Sequence, residues 1–267
     1  RFASRQGIRG REMLGYPDGS FDTVFDKLQE VIESRGGEVH VSTPVEKVDV
    51  VDGVARGLVA RTESGEEIRE EFDTVLSTVP SFLFPDMVEL PDDYKKRLLD
   101  VHYLAAVVVI LELERPLTNY YWMNIADPDI PFLGLIEHTN MLPKEWYGGK
   151  HVLYLTNYLD RSDDVYKMSQ DELLDLYLPH LTKFNPEFDR SWIQGVHYNA
   201  LSAAQPIIPT NYSKAIPDHR TPVKNLYLAN TSQIYPEDRG TNYSFRMGRE
   251  LAEMMMNDEQ RSWSVWQ

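Results

Sequence analysis

Seven histidines are the side chains best suited to acid–base or metal chemistry near neutral pH: His40, His102, His138, His151, His180, His197 and His219. Their spacing is scattered. No pair stands four residues apart with a Glu between, so the helical zinc motif is absent. His138 and His151 each border a predicted strand and could meet in space, the alternative being a satisfied or exposed histidine at each position. There is no cysteine, which excludes disulfides, thiolate metal sites and a cysteine nucleophile. Neither a Gly-x-Ser-x-Gly elbow nor a Gly-x-x-x-x-Gly-Lys loop occurs, which removes the common hydrolase and nucleotide-hydrolysis signatures. The carboxylate pairs Asp92-Asp93 and Asp163-Asp164 fall at predicted loops or helix caps, where solvation explains them. No catalytic residue and no metal ligand is therefore singled out.

One segment is more informative. A short apolar strand, Asn225–Ala229, runs into a loop containing Pro236, Asp238, Arg239 and Gly240, and a helix begins near Asn242. Free amides and the helix dipole at such a start favour an anion or an electron-rich ring edge. Asn242 is the expected N-cap.

The elements that must position these groups follow from periodicity. Ser20 is expected to cap a helix over Phe21–Ser34, with Phe21, Val24, Phe25, Leu28, Val31 and Ile32 on one apolar face and Gly36-Gly37 ending it. Glu38–Val41 alternates as a short strand. Val45–Val51, Val54–Thr62 and Glu67–Phe72 predict a three-stranded meander turning at Asp52-Gly53 and Ser64-Gly65. Asp73–Pro80 gives a short apolar strand, a small polar pair and a proline, and a strand too apolar for one wet face belongs inside a sheet. Asp92–Val101 reads as a charged helix. Leu104–Leu113, Tyr120–Ile125, Phe132–Glu137, His151–Asn157 and Trp192–Tyr198 read as strands. Ser169–Thr182 reads as a helix with a capping box to Glu172. The final helix is expected over Asn242–Asn257, with Phe245, Gly248, Leu251, Ala252 and Met255 on one face. The fold class is α/β in the mixed α+β sense.

The 267 residues carry 27 basic and 42 acidic side chains, a net charge of −15. That charge disfavours nucleic acid as a partner. The longest apolar run, Leu104–Leu111, is strand length and too short to cross a membrane. The absence of cysteine suits a reducing compartment, and a cytoplasmic location is the expectation. The arginine-rich Arg1–Arg11 stretch is expected to be exposed.

Three segments taken in order resemble the C-terminal two thirds of flavin-dependent amine oxidases, phytoene desaturases and protoporphyrinogen oxidases. "YPDGSFDTVFDKLQEVIESRGGEVHVSTPVEKVDV" is similar to the segment in which a helix and strand lead to a valine whose backbone meets the flavin adenine; Val45 holds that place. "FDTVLSTVP" resembles the return strand, with Thr78 and Pro80 at the crossover into the substrate domain. "NLYLANTSQIYPEDRGTNYSFRMGRELAEMM" resembles the closing flavin motif. There Asn230-Thr231 stands where the family has Gly-Asp, and Gly240, Thr241 and Asn242 match positions whose backbone amides face the flavin. Gln205–Pro209 resembles the proline-containing stretch beside the ring.

The resemblance implies a partial Rossmann-like FAD-binding lobe with an inserted substrate domain. The implied organisation is residues 1–80 and 203–257 in the cofactor lobe, residues 81–202 in a substrate domain with a mixed or antiparallel sheet, and a tail over 258–267. It implies FAD as cofactor, a small-molecule substrate, and hydride transfer to flavin in a longer parent protein. The family's Gly-x-Gly-x-x-Gly fingerprint occurs nowhere in the sequence. The expectation is accordingly a piece of a longer flavoprotein that does not retain FAD alone. The aromatics Tyr120, Tyr121, Trp122, Phe132, Trp146, Tyr147, Tyr154 and Tyr158 are expected either to line a substrate pocket or to pack a sheet. Two other readings stand beside this one. "RGTNYSFRMGRE" also resembles UDP-galactopyranose mutase, a non-redox flavoenzyme, for which Arg161 and Arg190 are the candidate pyrophosphate contacts. A binding module that has lost its cofactor is the third. Oligomeric state and peripheral membrane contact stay open.

Overall fold

A computed structural model of the chain describes residues 15–264, and the chain divides into two units, Arg1–Thr43 and Pro44–Gln267. In chain order the elements are α1 (Asp22–Ser34), β1 (Val45–Val51), β2 (Val54–Arg61), β3 (Glu67–Glu71), β4 (Val75–Ser77), α2 (Phe84–Met87), α3 (Asp92–Leu99) and β5 (Tyr103–Leu113). They continue with β6 (Trp122–Asn124), β7 (Gly134–Glu137), β8 (His151–Leu159), α4 (Asp164–Lys167), α5 (Gln170–Tyr177), β9 (Ile193–Pro206), β10 (Leu226–Leu228) and α6 (Thr241–Ser264). Among the described residues no helix is long and apolar enough to cross a membrane. The Arg1–Arg11 stretch lies outside the described residues.

In the first unit, α1 ends in a Schellman motif. Gly37 N donates to the Ile32 carbonyl and Gly36 N to that of Glu33, with Gly36 at φ +85°, a conformation only glycine adopts without cost. Its start departs from expectation. Phe21 is the N-cap and contributes no side-chain bond, while Ser20 Oγ accepts the Asp22 amide from one residue further out. No residue of α1 is buried. Glu38–Val41 forms no strand; four alternating residues define a strand only where a neighbour supplies a hydrogen-bond ladder.

The second unit opens with the meander β1-β2-β3, antiparallel throughout. Asp52 at φ +51° and Gly53 at φ +75° both lie in the left-handed region, as the type I′ turn of a two-residue hairpin demands. β4 pairs in parallel with β10 across 150 residues of sequence, Val75 opposite Leu226 and Ser77 opposite Leu228. Val75, Leu226 and Leu228 join Val48, Ala55, Phe84 and Leu98 in one core.

The remaining strands form an antiparallel sheet in the order β6-β7-β8-β5-β9. One face, carrying Val107, Val109, Leu111, Leu135, Leu153 and Leu155, is covered by Leu173, Leu174 and Tyr177 of α5 and by Leu181. The capping box at the start of α5 is formed by Ser169 and Glu172. The α-helix stops at Tyr177, and Leu178–Lys183 continues as a 3-10 turn with Pro179 in its first turn. β9 runs well past the expected Tyr198, to Pro206. Apart from Leu201 its later residues are polar, small or proline and carry no apolar alternation, and their pairing with β5 makes them a strand. α6 likewise extends beyond Asn257 to Ser264. Its inward positions are Tyr243, Met247, Leu251, Met254 and Met255, whereas Phe245, Gly248 and Ala252 of the expected face are exposed.

Candidate functional site

β4 and β10 run in parallel, so their carboxyl ends emerge side by side, where open α/β sheets bind ligands. β4 hands the chain to Thr78 and Pro80, and β10 to Ala229, Asn230 and Thr231. Opposite them α6 presents Ser244, Met247, Gly248 and Leu251, at i, i+3, i+4 and i+7, the spacing of one helical face. Together with Leu76 and Ala203 these residues enclose a cleft of about 310 Å³. A second cavity of about 260 Å³ shares Thr231 and is lined also by Gln205, Pro206, Ile208 and the Ile234–Arg239 loop.

The cleft therefore gathers Thr78, Pro80, Asn230 and Thr231 from two distant stretches of sequence. Gly240, Thr241, Asn242 and Val45 line neither cavity. Gly240 caps α6, its carbonyl accepting the amides of Tyr243 and Ser244 at 3.0 Å each. Asn242 is thus not the N-cap, because glycine already makes the turn into the helix; it sits exposed in the first turn beside Thr241. The Thr241 and Asn242 amides, like the first amides of any helix, have no intrahelical acceptor. Val45 begins β1 and is 37% exposed.

Asn230 is buried and bonded through every polar atom of its side chain. Nδ2 donates to the Val79 carbonyl at 3.0 Å and to Ser81 Oγ at 3.2 Å. Oδ1 accepts from Ser232 N at 3.0 Å and Ser232 Oγ at 2.7 Å. The Gln233 side chain closes a reciprocal cap on the Asn230 amide. Asn230 thereby ties the end of β10 to the segment leaving β4. Tyr103, buried at the start of β5, joins the same network through Ser81, and Tyr212 Oη donates to the Ser232 carbonyl at 2.6 Å. Burial raises the Tyr212 phenol above its ordinary range.

Sequence reading missed Tyr103, Ser81, Ser232 and Arg239. Ser81 directly after Pro80 and Ser232 two residues after Asn230 were the available signals. The Arg239 guanidinium donates to Gln205 Oε1 at 2.5 Å and to Tyr158 Oη at 2.6 Å, fastening the loop before α6 to the ends of β8 and β9. Among the eight aromatics singled out, Tyr158 touches the site through this bond. Phe132 is in the sheet core, Tyr147 bonds His138, and Tyr120, Trp122 and Trp146 are exposed. Arg161 stacks on Phe82 and Arg190 pairs with Asp175, and neither lines a cavity.

The histidines form no catalytic constellation. His138 Nε2 meets Tyr147 Oη at 2.7 Å, and its ring packs edgewise on Tyr154. His151 Nδ1 is buried without a hydrogen-bond partner. Burial lowers both imidazoles below their ordinary value, with Lys144 adding to the effect at His151. Among the described residues no group of three His, Asp or Glu side chains is placed to hold a metal ion.

The cleft suits a planar heteroaromatic ring. Leu76, Pro80, Met247 and Leu251 supply apolar walls, Thr78, Thr231 and Ser244 supply hydroxyls, and nothing lies within 4 Å of where a Gly248 side chain would begin.

The family described as flavin containing amine oxidoreductase matches residues 3–237. No curated protein matches the sequence. An oxidoreductase from Methanosarcina mazei superposes with a TM-score of 0.60 at 20% identity, over 80% of this chain and 49% of its own. A protoporphyrinogen oxidase-like protein from Exiguobacterium sp. 255-15 gives 0.62 at 16% identity, over 80% and 46%. Reduced UDP-galactopyranose mutase gives 0.57 at 16% identity, over 77% and 45%. The chain spans about half the length of these structures.

Proposed function

Because the chain belongs to the flavin-containing amine oxidoreductase family, we propose that it forms the closing part of the cofactor site, and the substrate lobe, of an FAD-dependent oxidoreductase. The observation that carries this reading is the cleft at the paired carboxyl ends of β4 and β10, roofed by α6. In the proposed organisation the meander, β4, β10 and α6 belong to the cofactor lobe, and the five-stranded sheet with α5 forms the substrate lobe.

When bound, the flavin supplies the redox chemistry, accepting a hydride from a C–N or C–C bond of an organic substrate. The chain's own residues hold and orient. Thr78, Thr231 and Ser244 would offer hydroxyls to a bound flavin, while Leu76, Met247 and Leu251 would exclude water from it. Asn230 contributes indirectly, by fixing the two strand ends that carry Thr78 and Thr231. The amides of the first turn of α6 and its dipole favour negative charge in front of the helix, a stabilisation in place before any reaction. No side-chain acid or base is required for this role.

The test is an absorbance spectrum of the 267-residue chain after FAD addition and removal of excess, beside that of a longer protein containing it. Flavin bands in the longer protein support the reading, and bands in neither sample overturn it in favour of a module without cofactor. A mutase-type, non-redox function shares the fold. Arg161 and Arg190 stand outside both cavities, which favours the redox reading; substrate-dependent bleaching of the flavin under anaerobic conditions separates the two.

A further inference from the structure

The two ends of α6 are tied to different parts of the fold. At the far end the Asp258 carboxylate accepts from Arg220 and from Tyr227 Oη, both next to β10 in the proposed cofactor lobe. At the near end the tie runs to the proposed substrate lobe. Arg239 directly precedes Gly240, the cap of the helix. Its Nη1 donates to Gln205 Oε1 and its Nη2 to Tyr158 Oη, and the guanidinium stands 5.6 Å from the centre of the Tyr158 ring. Tyr158 is the next-to-last residue of β8 and Gln205 the next-to-last of β9. β5 lies between those strands in the sheet. One side chain therefore spans the end of three strands.

The loop that carries Arg239 is braced onto the helix it precedes. Glu237 Oε1 accepts from Arg246 Nη2 at 2.9 Å, which closes the loop onto the second turn of α6. The Gly240 carbonyl accepts the Tyr243 and Ser244 amides of the first turn. Both acceptors of Arg239 are uncharged. Among the described residues the one carboxylate within 4 Å of it is Asp238, 3.9 Å away on a side chain that is 82% exposed, whereas Arg239 itself is 25% exposed. Shielding a cation from water among neutral groups is costly unless its hydrogen bonds are well directed. The planar guanidinium supplies two bonds in fixed directions, and so fixes the loop relative to both strand ends.

We propose that Arg239 is a positioning residue that makes the start of α6 follow the substrate lobe. Cofactor affinity then depends on Tyr158, a substrate-lobe residue that lines neither cavity. The inference rests on the flavin reading of the cleft and adds its regulation, a coupling of the two lobes through one side chain. Such coupling is reciprocal: a ligand that draws Tyr158 or Gln205 away from Arg239 weakens cofactor binding, and the cofactor weakens that ligand by the same factor.

Two measurements test it. In the 267-residue chain, hydrogen exchange of the Tyr243 and Ser244 amides is followed by NMR, because their bonds to Gly240 form the first turn of α6. Arg239→Met is expected to speed their exchange at least fivefold and Tyr158→Phe at least twofold. The double variant is expected to be no faster than Arg239→Met, and the buried amides of β5 to be unchanged. In a longer protein containing the chain, Arg239→Met is expected to weaken FAD binding at least tenfold and Tyr158→Phe at least threefold. Lys183→Met, which removes a substrate-lobe cation paired with Asp127, is the control, with a change under twofold. Unaltered exchange in Arg239→Met, effects that multiply in the double variant, faster exchange shared equally by β5, or an equal loss of affinity in Lys183→Met overturns the inference. No FAD bound by the wild-type longer protein defeats the cofactor reading; FAD bound equally by wild type and Tyr158→Phe defeats only the coupling.

Discussion

Asn230 is the residue on which the cleft depends, although it offers nothing to a ligand. Its carboxamide satisfies the Val79 carbonyl, Ser81 and Ser232 in a buried setting. Truncation removes the partner of the Val79 carbonyl and of the Ser232 amide, whereas the Ser81 and Ser232 hydroxyls keep each other, and an orphaned buried polar group costs about 1–3 kcal/mol. Asn230→Ala is expected to lower the unfolding free energy from urea titration by that amount and, in the longer protein, to reduce flavin affinity in parallel. A stability change under about 0.5 kcal/mol, the range of an ordinary surface substitution, would show that the network is not what holds the strand ends. Gly57 illustrates the other way one residue constrains the fold. A Cβ there would lie 2.1 Å from the Glu70 carbonyl oxygen, a backbone atom with no freedom to retreat. Gly57→Ala is expected to destabilise by about 1–3 kcal/mol through forced separation of β2 from β3, read from thermal unfolding; an unchanged Tm would refute it.

At the scale of elements, α6 decides whether the cleft exists. Its far end is anchored by Asp258, which accepts from both Nε and Nη2 of Arg220 and from Tyr227 Oη at 2.8 Å. Its near half turns Ser244, Met247, Gly248 and Leu251 toward the strand ends. Gly248 is the sensitive position because open space lies in front of it. Gly248→Leu replaces a poor helix former by a good one, so the fold is expected to gain up to about 1 kcal/mol. The same side chain fills the cleft, and FAD affinity of the longer protein is expected to fall at least tenfold. Opposite movement of stability and affinity distinguishes a ligand-facing glycine from a structural one. Retained flavin binding in the variant would place the cofactor elsewhere.

For the whole molecule, pH provides the readout. His138 and His151 have imidazole pKa values lowered by burial, so the folded chain holds them neutral while the unfolded chain protonates near the ordinary value of 6.5. Their contribution is therefore present above about pH 6.5, and it is lost as pH falls below that value toward the folded-state pKa. Each histidine contributes a slope of at most about 1.4 kcal/mol per pH unit across that window. His138→Gln with His151→Gln is expected to flatten stability between pH 7 and 5; an unaltered slope would assign acid sensitivity to other groups.

Sequence alone determined what local physics decides. Asp52-Gly53 requires left-handed backbone and made a hairpin, Gly36-Gly37 ended α1, Ser169 with Glu172 capped α5, and the apolar runs became β5, β8 and β10. The ordered motifs also placed the chain in its family. Where a residue's role depends on a distant neighbour, the sequence was silent or misleading. Asn242 resembled a cap because its type suits one, but Gly240 takes the turn. β9 reads as ending at Tyr198 because its later residues lack alternation, and the ladder with β5 carries it to Pro206. Asn230 faces Ser81 across about 150 positions, and Arg239 finds Tyr158 and Gln205 only once three strands have assembled. Thr78 and Thr231 share a cleft because β4 and β10 pair in parallel. Hydrogen bonds and cavities between segments remote in sequence are set by packing, and packing is a property of the folded chain.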